Sequence, residues 1–339
     1  MYLNKIHLYA FRNYQEQSVE FNAQKTILLG NNAQGKSNLL EAVELLATLK
    51  SHRTNRDRDF ILEGATTGQI LATVDRTYGQ SNLGITFRSP GRRSLVLNQE
   101  NLRRQLEFLG HLNAVEFSCL DLELVRGSPE IRRNWLDTLL VQLEPVYAHI
   151  LHQYYQVLRQ RNALLKVMRK KSDQERSNTK ISEETSQLKL WDQQLSAAGS
   201  RVTRRRDRVI ERLTPLAQSW HKNISSGTEI LTINYLPNIT LNSDQPREVQ
   251  QAFLEKIQQR HVAEKHLGTT LVGPHRDDVE FTINETPAKY YGSQGQQRTL
   301  VLALKLAELQ LIEEVIKEPP ILLLDDVLAE LDPNRQNQL

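Results

Sequence analysis

The 339-residue chain is short of the features that mark secreted and membrane proteins. A single cysteine, Cys119, excludes an internal disulfide framework and a cysteine-based metal cluster, and it fits a reducing cytoplasm. No stretch approaches the roughly 20 apolar residues of a membrane span, and the start Met1-Tyr2-Leu3-Asn4-Lys5 has no long apolar h-region. A soluble, untargeted protein with no membrane partner is therefore expected. Sustained heptads and internal repeats are missing, which argues against a long coiled coil. Neither charge sign dominates: 43 Lys and Arg against 40 Asp and Glu leave a net charge of +3, so any nucleic-acid site must be a local patch. The length exceeds the size at which single cores usually stop growing, so two lobes are expected.

What is present is a phosphate-loop pattern. Gly30-Asn31-Asn32-Ala33-Gln34-Gly35-Lys36-Ser37 fits G-x-x-x-x-G-K-[ST]. The apolar run Thr26-Ile27-Leu28-Leu29 before it predicts a strand, and Leu39, Leu40, Val43, Leu46 and Leu49 after it predict a helix with one apolar stripe. The chemistry needs this layout. Two glycines let backbone N–H groups curl around an anion, Lys36 reaches the β/γ-phosphates, Ser37 offers its hydroxyl to Mg²⁺, and the helix adds its positive N-terminal dipole.

Along the chain, strands are predicted within the first ten residues and at Ile70 to Val74, Leu83 to Phe87 and Leu95 to Leu97, the last two joined by a hairpin whose tip, Ser89-Pro90-Gly91-Arg92-Arg93-Ser94, is basic. Ser128-Pro129 opens a helical region that runs to about Leu213, with Trp135 and Trp191 in its core. A polar stretch from Lys170 to Thr185 reads as the mobile tip between antiparallel helices of an arm. Strands return at Glu229 to Tyr235 and Thr269 to Ile283, with a helix near Val249 to Lys265 between them.

Two more motifs lie near the C-terminus. Ile321-Leu322-Leu323-Leu324-Asp325-Asp326 reads as a central parallel strand buried on both faces and ending in carboxylates. A carboxylate there sits beside the phosphate loop in open α/β sheets, which makes Asp325 the candidate Mg²⁺ ligand and Asp326 the group that polarises the attacking water. The alternative is a pair of solvated acids at a loop start. Ser293-Gln294-Gly295-Gln296 opens a helix, and a Ser-x-Gly turn at a helix start can hold an anion. About thirty residues before the carboxylate strand, it resembles the signature motif of ABC-type ATPases, which caps the γ-phosphate of ATP held by a second subunit. Ala329-Glu330-Leu331-Asp332-Pro333 is similar to the dimer-interface loop of that class, although on its own an ordinary helix cap is the better reading.

Taken together, Phe11-Arg12-Asn13-Tyr14, Gly30 to Asn38, Lys50-Ser51-His52-Arg53-Thr54, Leu124 to Arg133, Gly273-Pro274-His275-Arg276-Asp277-Asp278 and Leu323 to Asp332 resemble the blocks of the RecF family of bacterial recombination-repair proteins over essentially the whole chain. The resemblance implies an α/β fold: an ABC-type, SMC/Rad50-like ATPase head with a mixed or parallel central sheet and an α-helical arm in a second lobe. Residues 1–118 would form the first lobe, 119–299 the second with its arm at 127–215, and 300–339 the return to the first. It implies ATP and Mg²⁺ as cofactors, an ATP-dependent homodimer, binding to double-stranded DNA and to single/double-strand junctions, and RecR, RecO and RecA as partners in gap repair, replication restart and the SOS response. Asn38 would belong to the nucleotide cradle. Arg12 and Asn13 either touch nucleotide, as in related heads, or form a surface turn.

Two departures qualify it. Phe117-Ser118 is followed by Cys119-Leu120-Asp121 where the family has Pro-Glu, so Asp121 or Glu123 would have to stand in for a nucleotide-sensing carboxylate. The sequence also stops at Leu339, within the helix expected after the carboxylate strand, so the next strand, with its switch residue, is expected to be missing.

Among basic residues, Arg53, Arg56, Arg92 and Arg93 are the DNA candidates, because phosphate contacts need flexible basic tips. Arg103-Arg104 joins that hairpin, whereas Arg201 to Arg208 reads as a solvated helix face. His275, in its Gly-Pro-His-Arg-Asp-Asp turn, reads as a structural or interface residue rather than an acid–base catalyst, since no Ser or Cys nucleophile pattern accompanies it. Three functions are weighed: a slow ATPase that switches a DNA clamp, an ATP-binding scaffold for RecR and RecA without hydrolysis, and a transporter ATPase subunit, which the arm argues against.

Overall fold

The computed structural model describes residues 1–54, 56–171 and 178–325. Six strands form an antiparallel sheet in the order β2-β1-β3-β4-β5-β6: β1 (Tyr2–Phe11), β2 (Tyr14–Glu20), β3 (Thr67–Arg76), β4 (Gly79–Arg88), β5 (Ser94–Leu97) and β6 (Glu100–Leu102). Alternation sets the inner face, where Ile6, Leu8, Ile70, Val74 and Ile85 are fully buried. Helix α1 (Lys36–Thr48) lies between this sheet and β7 (Ala114–Phe117). Of its predicted stripe, Leu39, Val43, Leu46 and Leu49 are buried and Leu40 is half-buried, while Glu41, Ala42, Leu45 and Ala47 are buried as well. The helix is thus enclosed on most of its circumference.

The short α2 (Glu123–Arg126) leads to α3 (Pro129–Leu143), with Pro129 in the first turn as expected, then to α4 (Val146–Lys171) and α5 (Asn178–Ile224). Helix α5 runs eleven residues past the predicted end at Leu213, straight through Pro215. The fully buried Leu213 and Ala217 on either side outweigh the one hydrogen bond a proline removes. The predicted tip is shorter than the polar stretch, since residues 178 to 185 are helical, and its segment 172–177 lies outside the described residues. A small cluster of Leu165, Met168 and Leu188 joins α4 to α5.

Next come β8 (Leu231–Leu236), α6 (Pro246–Leu267), β9 (Asp278–Ile283) and β10 (Thr286–Pro287), the three strands forming a second antiparallel sheet. The strand expected from Thr269 begins only at Asp278. Residues 269–277 instead form a turn and a short 3₁₀ segment, because Gly273, at φ +137, sits in a backbone region that a strand does not use. A Cβ there would collide with the Tyr154 hydroxyl.

After α7 (Ala288–Tyr291), α8 (Gln294–Ile316) crosses the core and delivers β11 (Ile321–Leu324), which pairs in parallel with β7. The fold class expected from the resemblance holds, with the parallel part confined among the described residues to β7 and β11. Two details differ. Leu322 and Leu324 are each nearly half exposed, so β11 is not buried on both faces: Leu323 is buried in the core and Ile321 packs against it. Thr26 to Leu29 forms no strand, and Ile27 and Leu29 are 81% and 89% exposed. A strand exists through a neighbour's backbone hydrogen bonds, and this segment has no ladder partner among the described residues.

Candidate functional site

Residues Gly30 to Gly35 form an exposed loop that ends on a buried glycine and opens α1. Gly35 has φ +102, and a Cβ there would stand 2.7 Å from Asn13 Oδ1 and 2.9 Å from the Tyr14 ring, so both conformation and space require glycine. Tyr14 donates its hydroxyl to the Gly35 carbonyl at 3.0 Å, and Asn13 Oδ1 accepts from Asn38 Nδ2 at 2.8 Å. The turn carrying Arg12 and Asn13 therefore buttresses the loop. Lys36 Nζ donates to the carbonyls of Gly30 (2.7 Å) and Asn31 (2.9 Å), which holds its charge over the mouth of the cradle formed with Asn32, Ala33 and Gln34. Ser37 Oγ donates to Asp325 Oδ1 at 3.1 Å, joining positions 288 residues apart. A hydroxyl beside a carboxylate, with an ammonium at a glycine-bounded loop, offers oxygen donors of the kind Mg²⁺ takes and a cation for a polyphosphate. Asp326 and residues 329–333 lie outside the described residues.

A carboxylate that the sequence reading missed holds the floor of the site. Glu41 is fully buried and accepts from Arg12 Nε (2.8 Å) and Nη2 (2.6 Å), from Ser51 Oγ (2.5 Å) and from Arg53 Nη1 (3.2 Å). Burial of a carboxylate is tolerable only with such donors. Arg12 also donates to the Asp59 carbonyl and lies 5.1 Å over the Phe60 ring. Arg53 reaches Asn38 Oδ1 at 2.6 Å and is the most exposed member of the group. The sequence signal was available: Glu41 interrupts an otherwise apolar face between Leu39 and Val43.

Ser293 and Gln294 are exposed at the start of α8. Ser293 Oγ accepts from Gln296 N (3.2 Å) while Gln296 Oε1 accepts from Ser293 N (2.9 Å), a reciprocal capping box that fixes the turn. Farther along α8, Lys305 pairs with Asp121 at 2.9 Å, and Asp121 also accepts from Ser118 N at 2.7 Å. Burial opposes the Lys305 charge, but Asp121 and Glu308 outweigh it and raise the pKa. Asp121 is thus committed to α8, while Glu123 is exposed.

The basic candidates separate. The β4–β5 hairpin forms as expected, with Arg92 exposed at its tip, but Arg93 turns inward: it forms a two-pronged pair with Asp57, donates to the Leu49 carbonyl at 2.7 Å and stacks 5.6 Å over Phe87. Its role here is to pin the hairpin to residues 57–60. Arg56, Arg88, Arg103 and Arg104 are exposed, and the pairing of Leu95 with Leu102 puts Arg103 and Arg104 at the same sheet end as Arg92. Arg201 to Arg208 is not simply a solvated face. Arg206 is fully buried, and Arg204 and Arg208 pair with Asp244, Arg205 with Glu144.

His275 is structural, as expected. Its Nε2 lies 3.2 Å from the Thr270 carbonyl and therefore carries the proton, so Nδ1 accepts from the Tyr154 hydroxyl at 2.5 Å. Burial, with nearby Arg276, Arg133 and Arg161, lowers its pKa to about 4.

Phosphate loop, facing carboxylate and a capped serine turn on an α/β head define a nucleotide-binding head of the ABC/SMC kind. A family profile described as an AAA domain matches residues 5–267. A solved SMC head bound to the C-terminal winged-helix domain of ScpA shares the fold, with a TM-score of 0.50 at 14% identity over 99% of this chain and 91% of that one. Similarity of sequence is far closer to a protein of Crocosphaera subtropica named DNA replication and repair protein RecF, at 78% identity over all of this chain and 89% of that protein. A solved structure described as the recombination mediator RecF-ATP of the RecFOR pathway superposes with a TM-score of 0.90 at 32% identity, covering 99% of this chain and 87% of that one. The chain belongs to the RecF family.

Proposed function

We propose that this chain is an ATP-dependent DNA-binding switch of recombination repair, in which ATP closes two copies on DNA and slow hydrolysis releases them. The observation that carries the reading is the Ser37 to Asp325 hydrogen bond, which unites the loop and the carboxylate strand in one site. Lys36 leaves the Gly30 and Asn31 carbonyls to bind phosphate, and the backbone of residues 30–35 cradles it. Ser37 and Asp325 would hold Mg²⁺, which neutralises charge developing on the phosphate oxygens. Asp326 orients the attacking water. Arg12, Asn13 and Asn38 keep the loop in shape. The fixed, exposed Ser293-Gln294-Gly295-Gln296 turn serves the second copy's nucleotide.

The division into lobes at 1–118, 119–299 and 300–339 follows the same reading. Arg53, Arg56 and Arg92 contact DNA phosphates, with Arg103 and Arg104 beside Arg92, and Arg93 supports them from below. Duplex DNA and single/double-strand junctions are the expected ligands. RecR, RecO and RecA are the expected partners in gap repair and the SOS response, in the cytoplasm; the described helices include none long and apolar enough to cross a membrane. A second reading, an ATP-binding scaffold without turnover, is favoured by one feature: among the described residues no strand ladder supports residues 26–29 beneath the loop. Lys36→Arg separates the two. If turnover matters, this variant binds ATP and DNA and fails to release DNA; release by the wild type without phosphate production would sink the ATPase reading.

A further inference from the structure

Behind the nucleotide cradle, three elements bring ligand-type atoms together. Glu44 lies on the far half of α1, His52 in the segment after it, and Glu116 on β7. His52 Nδ1 is 2.8 Å from Glu44 Oε2 and 2.9 Å from Glu116 Oε2, and one ligand atom from each residue lies within 4.8 Å of the others. The Glu44 and Glu116 side chains are largely buried, whereas His52 is an exposed residue whose side chain is 24% open. Glu44 lies seven residues beyond Ser37 on α1, about 10 Å along the helix axis, and Ser37 and Asp325 hydrogen-bond each other rather than any of these three.

We propose that Glu44, His52 and Glu116 form a second divalent-cation site, selective for a zinc-like ion over Mg²⁺. One imidazole nitrogen and two carboxylate oxygens suit Zn²⁺, whereas Mg²⁺ prefers oxygen donors throughout. With Zn–ligand distances of about 2.0–2.1 Å, tetrahedral ligands stand roughly 3.3 Å apart, so Glu44 and Glu116 need move from His52 by only about 0.5 and 0.4 Å. Solvent at the His52 edge supplies the fourth position. Two carboxylates converging on one imidazole nitrogen form a donor set whose negative charge a divalent ion balances. Lys305, the neighbouring cation, is held by Asp121.

The ion would act as a clamp. Glu116 stands opposite Leu323 in the β7–β11 ladder, two residues before Asp325, and Glu44 lies two turns along the helix that begins at Lys36. Fixing α1 to β7 fixes the separation across which Ser37 meets Asp325, and it holds Arg53, next to His52, on Glu41.

Metal-stripped protein in excess Mg²⁺ without nucleotide is titrated with Zn²⁺ by calorimetry and with Co²⁺ by visible absorption. One equivalent per chain is expected, with tetrahedral Co²⁺ bands, and His52→Asn and Glu116→Gln each weaken binding tenfold or more while the circular dichroism of the metal-free variants keeps the wild-type helix content. Should those variants misfold, the imidazole nitrogen resonances of His52 in the wild type decide, shifting at Nδ1 on saturation with Zn²⁺. Absence of a stoichiometric site, equal affinity in both variants, or an unmoved His52 resonance overturns the proposal.

Discussion

Two arginine clusters in this molecule rest on carboxylates, and they differ in what can reach them. In the first, Arg12 and Arg53 share the buried Glu41 beneath the phosphate loop, with Arg53 40% exposed. In the second, Arg206 of α5 lies fully buried, bidentate to Asp137 of α3 at 2.9 Å, 2.7 Å from the Pro274 carbonyl and 3.3 Å from Asp277; Tyr147 donates to Asp137 at 2.5 Å and Tyr235 to Asp277. Every acceptor around Arg206 is satisfied within the protein. At the cradle the carboxylate is fixed, and one of its arginines faces outward with donors to spare. The same chemistry thus builds a strut in one place and a ligand-facing floor in the other, and burial of the arginine decides which.

The largest expected effect comes from breaking the strut. Arg206→Met leaves Asp137 and Asp277 buried without their cation and should cost about 3–5 kcal/mol in urea unfolding. Glu41→Gln strips the floor of its charge: a loss of about 1–3 kcal/mol is expected, together with about tenfold weaker ATP binding by fluorescence titration, whereas Arg206 variants that still fold should bind ATP normally. An intermediate effect is expected from acid. His275 is folded at a pKa of about 4 against 6.5 unfolded, so the unfolded chain takes up the proton first. The His275 contribution should be constant above pH 6.5 and fall by up to about 3 kcal/mol between 6.5 and 4, read as the difference between the wild type and His275→Gln across that range. The smallest is Arg92→Ala, with unchanged melting but a salt dependence of DNA binding shallower by about one phosphate contact; an unchanged slope would remove Arg92 from the interface.

The contrast also explains what could be read in advance. Glycine spacing, Lys36, Ser37 and the apolar run ending at Asp325 are local patterns, and the fold brings them together as their chemistry requires. Arg206 and Arg93 could not be placed, because nothing local separates an arginine that meets Asp137 or Asp57 from one that meets solvent. Glu41 carried a signal, a carboxylate inside an apolar face, whose meaning depended on two arginines from other segments. Residues 26–29 had strand composition, but strands are settled by neighbours rather than by composition.

The central claim, a nucleotide site completed by a second copy, is tested most directly by sedimentation of mixed variants with ATP. Lys36→Ala and Ser293→Arg should each remain monomeric alone, while an equal mixture should dimerise through one intact pairing of loop and serine turn. A mixture that stays monomeric, or a Ser293→Arg chain that dimerises like the wild type, would contradict it.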